Sequence, residues 1–146
     1  MTTNDVLVRH NFVSKLPFKN GLSKDLKVKI MSMRIEYAKV RKAFDEDVQT
    51  FVQDATPDEF RILQAKEKRT KAEEARLNEL SESLTSEYNS YIATKSAEES
   101  NVKKVMFTQE EYEELISIHD EDVVINGQTV PAADFLEIIY NLFVSE

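Results

Sequence analysis

The sequence predicts a mainly α-helical protein, in which a long antiparallel helical hairpin precedes a small C-terminal helix–β-hairpin–helix block. Its apolar residues recur alternately four and three apart in one stretch, the a/d spacing of a coiled-coil seam: Leu26, Ile30, Met33, Tyr37, Val40 and Phe44. Only two Gly and three Pro interrupt the 146 residues, and 32% of the residues are charged. We therefore expect a helical content well above the usual third.

The first segment, residues 1–21, is predicted to be an N-terminal arm. Val6 and Val8 alternate as in a strand, whereas Val8 and Phe12 have helical spacing, and we favour a short helix. Pro17 then interrupts the chain. The arm either packs across the hairpin or reaches a neighbouring molecule.

The hairpin itself is predicted over residues 22–95. Ser23 suits the N-cap of the first helix. In the run Thr56-Pro57-Asp58-Glu59, Thr suits the N-cap, Pro suits N1 and Glu suits N3, which predicts a capping box that starts the second helix. Residues 64–76 carry no large apolar side chain, so we expect an exposed span or a bend there. Apolar side chains then return to pair with the first helix: Leu77, Leu80, Leu84, Tyr88, Tyr91 and Ile92.

A polar linker at residues 96–107 is expected to lead into the C-terminal block, residues 108–146. A capping box opened by Thr108 predicts a short helix, and Asn126-Gly127 between two apolar runs predicts a β-hairpin with a type I′ turn. Pro131 precedes a last helix that is apolar on more than one face. That helix either packs within the protein or anchors in a neighbouring one. The candidate anchor residues are Phe135, Ile139, Leu142 and Phe143.

The net charge of −8 is distributed unevenly along the chain. Residues 1–43 hold ten Lys/Arg and three Asp/Glu (+7), and residues 44–146 hold nine and twenty-four (−15). Either the acidic half folds onto the basic half, or copies meet head to tail. A nucleic-acid partner is disfavoured because the acidic half repels phosphates. Lys27, Arg34 and Arg41 recur every seven residues beside the seam, as a solvated face or as a docking stripe for an acidic partner.

The usual sequence signals of catalysis and metal binding are missing. The chain has no Cys, and its two histidines, His10 and His119, have no companions at ligand spacing. A calcium loop starting at Asp122 fails because Ala133 occupies position twelve. Two Gly cannot build a Gly-rich phosphate loop. We predict a protein that is not an enzyme and has no catalytic residues, metal or cofactor.

The layout of the chain has four features that point to a known family: Leu16-Pro17, the amphipathic run at residues 26–51, the stretch FTQEEYEEL at residues 107–115, and the strand Val123–Ile125, which follows the acidic residues 120–122. This layout resembles small helical proteins encoded among the structural genes of tailed bacteriophages. The apolar ending at residues 135–144 has no counterpart in the resemblance. The resemblance implies a virion or assembly component with no catalytic residues to carry over.

We therefore expect a structural protein of a ring, connector or tail region, which contacts copies of itself or other virion proteins through its helices. The alternative is a small intracellular adaptor or inhibitor that binds a host or regulatory protein. No signal peptide is visible, and the longest apolar cluster is too short to span a bilayer. The expected location is the virion or the host cytoplasm, without a membrane partner.

Overall fold

The computed structural model describes residues 1–145 and confirms the predicted class. That part is mainly α-helical, at 69% helix, with a two-stranded antiparallel sheet near the C-terminus. The helices are α1 (Thr3–Val13), α2 (Lys24–Ala55), α3 (Asp58–Ala65), α4 (Lys71–Ala97), α5 (Gln109–Ile118) and α6 (Ala132–Phe143), and the strands are β1 (Val123–Ile125) and β2 (Gln128–Val130).

The chain forms two compact units, and α2 contributes to both. Unit 1 contains Met1–Arg41 together with the chain from Glu99 onward, and unit 2 contains Lys42–Glu98. These limits differ from the predicted division into arm, hairpin, linker and block. Unit 1 combines the N-terminal segment, the first part of α2 and the C-terminal block, because their apolar side chains share one core.

The core of unit 1 is built from four helices. Its fully buried side chains come from α1, α2, α5 and α6: Val6, Val13, Leu26, Ile30, Tyr37, Leu115, Phe135, Ile139 and Phe143. Burial of each aliphatic or Phe side chain in this set stabilises the fold by about 1.5–3 kcal/mol, as an upper estimate. The N-terminal segment is thus a helix, as favoured, and it belongs to the core of this unit.

The predicted polar linker, residues 96–107, starts too early because α4 continues to Ala97, and residues 99–107 are held against the rest of unit 1 through their backbone. The guanidinium of Arg9 donates to the Val105 carbonyl oxygen at 3.4 Å, and the Lys29 ammonium donates to the Met106 carbonyl oxygen at 3.1 Å. The Phe107 N–H donates to the carbonyl oxygen of Phe143 at 2.7 Å. Buried Arg9 also lies 4.7 Å from the centre of the Phe143 ring.

An ion pair joins α2 to the start of α5. The Lys29 Nζ lies 2.5 Å from Oε1 of Glu111, whose side chain is only 10% exposed. Burial raises the pKa of the Glu111 carboxyl, but the Lys29 ammonium and hydrogen bonds with Thr108 outweigh it and lower the pKa. Thr108 and Glu111 form the predicted capping box, so one carboxylate both caps α5 and pairs with α2.

The turn of the β-hairpin also forms as predicted. Asn126 and Gly127 have φ angles of 50° and 76°, and β1 pairs with β2 in an antiparallel register that puts Ile125 opposite Gln128. Two positive φ angles define the type I′ turn, and its twist matches that of the strands. Ile125 is buried and attaches this small sheet to the core of unit 1.

The capping box predicted at Thr56 does not form. Pro57 is the N-cap of α3 and provides no side-chain cap, while the Thr56 hydroxyl donates to the carbonyl oxygen of Val52 at the end of α2. That hydroxyl is therefore engaged by the preceding helix. The expected break in the second half of the hairpin separates α3 from α4, where Thr70 and Glu73 form a capping box.

We expect replacement of Lys29 by Met to lower the free energy of unfolding by about 1.5–3 kcal/mol, because it leaves the Glu111 carboxylate without its cationic donor. Urea denaturation followed by circular dichroism measures this loss. Lys39→Met is the matched control, since Lys39 pairs with Glu36 on the surface and the change should be at most about 1 kcal/mol. Equal losses in the two variants would contradict the assigned role of Lys29.

His119 is a second buried titratable group in unit 1. Its ring lies 4.8 Å from that of Phe135, and its Nε2 has no hydrogen-bond partner. Burial lowers the pKa of His119 below 6.5, aided by Lys19 and opposed by Asp120 and Glu121. The folded protein thus favours the neutral imidazole.

Because the pKa of His119 is lower in the folded state, the unfolded state binds more protons as the pH falls below about 6.5. We expect the contribution of His119 to stability to be present above that pH and to be lost as the pH falls through the folded pKa. Urea denaturation between about pH 5 and 8 measures it. His119→Phe should reduce the dependence of the free energy of unfolding on pH in this range. An unchanged slope of that free energy against pH would exclude His119 as its source.

Candidate interaction surfaces

Unit 2 contains a helical hairpin, which is shorter than the predicted span of residues 22–95 because α2 up to Arg41 belongs to unit 1. The Lys95 ammonium lies 3.2 Å from the Asp47 carboxylate, and the rings of Phe51 and Tyr91 stack with centroids 4.2 Å apart. From the first contact to the second, the residue on α2 lies four positions later in the chain and the residue on α4 lies four positions earlier. The two segments therefore run antiparallel. Arg76 of α4 adds a bidentate pair with Glu59 of α3, at 2.9 and 3.0 Å.

The apolar seam of this hairpin is only half covered. No residue of α4 is buried, and Leu63 of α3 is the one buried hydrophobic residue described between Lys42 and Glu98. Val52 and Tyr88 are 36% and 38% exposed, and Ile62 is 63% exposed. We call the apolar stripe of α4 the hairpin seam: Leu77, Leu80, Leu84 and Tyr88. Two helices alone leave such a stripe open to solvent.

A second apolar surface lies on α2 within unit 1, on the helix face opposite the core. Val28, Met31 and Ile35 are 55%, 38% and 49% exposed, with the three- and four-residue spacing of one helix stripe. Lys27 and Arg34 flank this stripe on one side. We call these five residues the α2 stripe. Its apolar members were not recognised from sequence, although their spacing was readable there.

The three cationic residues predicted as a docking stripe, Lys27, Arg34 and Arg41, do not lie on one surface. Lys27 and Arg34 belong to the α2 stripe, and the Lys27 ammonium lies 6.0 Å from the centre of the Phe18 ring, which is 47% exposed. Arg41 instead lines a polar cavity of about 270 Å³, together with His10, Lys15 and Asn126 among others.

The predicted anchor residues of the last helix lie in or against the core. Phe135, Ile139 and Phe143 are fully buried, and Leu142 packs partly buried against the same cluster. Of the two alternatives for α6, packing within the protein therefore accounts for these four side chains, and anchoring in a neighbouring protein does not. The three buried side chains are inaccessible to a partner while unit 1 stays folded.

The outer faces of α5 and α6 carry acidic and apolar side chains close together. The Tyr112 hydroxyl donates to the Leu136 carbonyl oxygen at 2.8 Å, and the rings of Tyr112 and Tyr140 are 5.3 Å apart. Burial raises the pKa of Tyr112, and the charge of Glu137 raises it further. Exposed side chains on these two helices form what we call the acidic patch: Glu113, Ile116, Glu137 and Tyr140.

Two further observations bear on chemistry, and a third bears on membranes. Within residues 1–145 no group of three or more His, Cys, Asp or Glu side chains is placed to hold a metal ion. A cavity of about 320 Å³ lies between α2 and residues 101–105, and Met33, Tyr37 and Val102 are among its lining residues. None of the helices in this part of the chain has both the length and the apolar character needed to cross a bilayer.

Comparison with known proteins adds no relative. No protein-family model matches the chain, and neither a curated protein nor a solved structure matches it. The resemblance to phage structural proteins therefore stays a prediction.

The difference in coverage between the two units should appear in hydrogen exchange. Amides of α4 should exchange faster than those of α2 between Leu26 and Tyr37, because opening α4 exposes less buried apolar surface. Mass-spectrometric exchange at low protein concentration, where association does not protect the seam, tests this. Equal protection of the two segments would contradict the half-covered seam.

Proposed function

We propose that this protein is a structural or assembly protein, and that its unit 2 hairpin associates with the hairpin of a second copy. The observation that carries the proposal is the hairpin seam, a regular apolar stripe on a helix of 27 residues with no buried member. Leu77, Leu80 and Leu84 are half-buried and Tyr88 is exposed, and covering such a partly open apolar stripe favours association because it removes apolar surface from water.

A second hairpin has the right size and chemistry to cover the seam. The helix α4 is about 40 Å long, and two helices side by side are about 20 Å wide, so the face offers roughly 800 Å² per copy. That is the usual area of a stable interface. Two hairpins face to face would form a four-helix bundle, the common way of burying such stripes.

The charges of unit 2 suit pairing between identical surfaces. Lys42 and Glu46 lie four residues apart on α2, and Arg76 and Glu79 lie three apart on α4, each pair in contact. Both signs therefore occur on both helices. Interspersed charges avoid the like-charge repulsion that a one-sign surface would create between two copies.

The proposed setting is a particle or an assembly intermediate of a tailed bacteriophage, in a ring, connector or tail region. The resemblance of the sequence layout supports this setting, and the open seam supports the mode of action. No small-molecule chemistry enters the proposal.

We expect the purified protein, of 16.9 kDa per chain, to show at least a dimer mass by light scattering at micromolar concentration. At about 0.5 M salt, where exposed charges are screened, Leu80→Glu with Leu84→Glu should yield a folded monomer, because each buried carboxylate would lack a partner. Asn78→Glu is the matched control, since Asn78 is exposed on the same helix and the mass should not change.

Circular dichroism of the variants separates loss of association from loss of folding. A wild-type protein that stays a compact monomer at high concentration would overturn the proposal and favour the adaptor alternative. The same holds if the seam variant keeps the wild-type mass.

A further inference from the structure

The charges of unit 1 are segregated along the chain. From Val105 to the end of the sequence there are ten Asp/Glu and no Lys or Arg. By contrast, residues 1–41 hold nine Lys/Arg and three Asp/Glu. Both stretches lie in unit 1, so this unit carries a strongly basic part and a strongly acidic part.

Contacts within unit 1 neutralise only part of this charge. Within the described residues 1–145, the basic stretch is joined to the acidic one by the ion pairs Lys29–Glu111 at 2.5 Å and Lys19–Glu121 at 3.8 Å. Over the described residues 1–145, Lys27 and Arg34 of the α2 stripe make no ion pair. These two pairs involve no residue of the α2 stripe or of the acidic patch, so they leave the charges of both surfaces uncompensated.

The two uncompensated surfaces match in apolar character as well as in charge. The α2 stripe presents Val28, Met31 and Ile35 beside its two cations. The acidic patch presents Ile116 at 49% and Tyr140 at 38% exposure beside its carboxylates. Each surface thus combines an apolar centre with charges at its edge, as protein–protein interfaces do.

We propose that the α2 stripe of one copy docks on the acidic patch of a second copy, with Lys27 and Arg34 facing Glu113 and Glu137. The inference rests on the proposed function and adds a second contact to it. Charge complementarity selects a second copy as the occupant. A nucleic acid would meet exposed apolar side chains where it needs cations, and the acidic patch of the same unit would repel it.

This contact joins two different surfaces of the chain, so it is heterologous. Repetition of a heterologous contact gives a closed ring or an open filament, depending on the rotation between neighbours. The hairpin contact proposed above joins identical surfaces and stops at two copies. The two contacts therefore predict different masses and can be separated by experiment.

Two charge-reversal variants test the docking. Variant A carries Lys27→Glu and Arg34→Glu, and variant B carries Glu113→Lys and Glu137→Lys. At low ionic strength the wild type should form species larger than a dimer, while A alone and B alone should stop at the hairpin-linked dimer. An equimolar mixture of A and B should assemble again, because the reversed surfaces are complementary to each other and the unaltered ones remain so.

Lys103→Glu with Lys104→Glu is the control for variant A. It changes the net charge by the same amount at two exposed lysines outside the α2 stripe, and the wild-type mass should persist. Raising the salt concentration from about 0.02 M to about 0.5 M should weaken the larger assembly at least about tenfold, since exposed charges are then screened within a few ångströms. The hairpin dimer should persist at the higher salt.

Sedimentation velocity at each salt concentration measures the size of the species that each protein forms. The docking is overturned if the wild type stops at a dimer at low salt, if variants A and B assemble as the wild type does, or if their mixture fails to reassemble. The hairpin contact is judged separately, by Leu80→Glu with Leu84→Glu. That variant should lose the salt-resistant dimer and keep the salt-sensitive contact.

Discussion

The structure depends on the inner apolar stripe of α2 and on how much of it is covered. From Leu26 to Tyr37 the stripe is covered by other elements of unit 1 and is at most 2% exposed. From Phe44 onward α2 is one arm of the unit 2 hairpin, and fewer elements cover its stripe there. Val52 is accordingly 36% exposed. One helix thereby supplies a closed core in one unit and an open seam in the other, because burial depends on the number of covering elements.

The two proposed contacts between copies differ in the interaction that would stabilise them. The hairpin seam is apolar and has both signs of charge around it, so its association would depend on area removed from water and little on salt. The α2 stripe and the acidic patch carry opposite net charge, so they would give specificity of partner and orientation, with strong salt dependence. Assemblies benefit from such a division, because the order in which contacts form then follows from their different strengths.

Local signals in the sequence predicted much of the fold, and tertiary packing decided the rest. The Thr108 capping box and the Asn126-Gly127 turn form as expected because their partners lie within a few residues. The Thr56 box fails because the preceding helix uses its hydroxyl, and the α6 side chains are core because α1, α5 and Phe107 pack against them. The exposed α2 residues Val28, Met31 and Ile35 show the same spacing as a core stripe, and only the fold reveals which stripe faces solvent.

Unit 1 is discontinuous in sequence, and this has a consequence for synthesis of the chain. Its core joins residues near the N-terminus to residues near the C-terminus, as in the contact between Arg9 and Val105, 96 residues apart. Unit 2 is contiguous and its contacts can form first. The core around Val6 and Val13 can be completed only after α5 and α6 have been synthesised. Closing so long a loop is slow, and folding of unit 2 first would shorten it, because Lys42 and Glu98 are the limits of one compact unit.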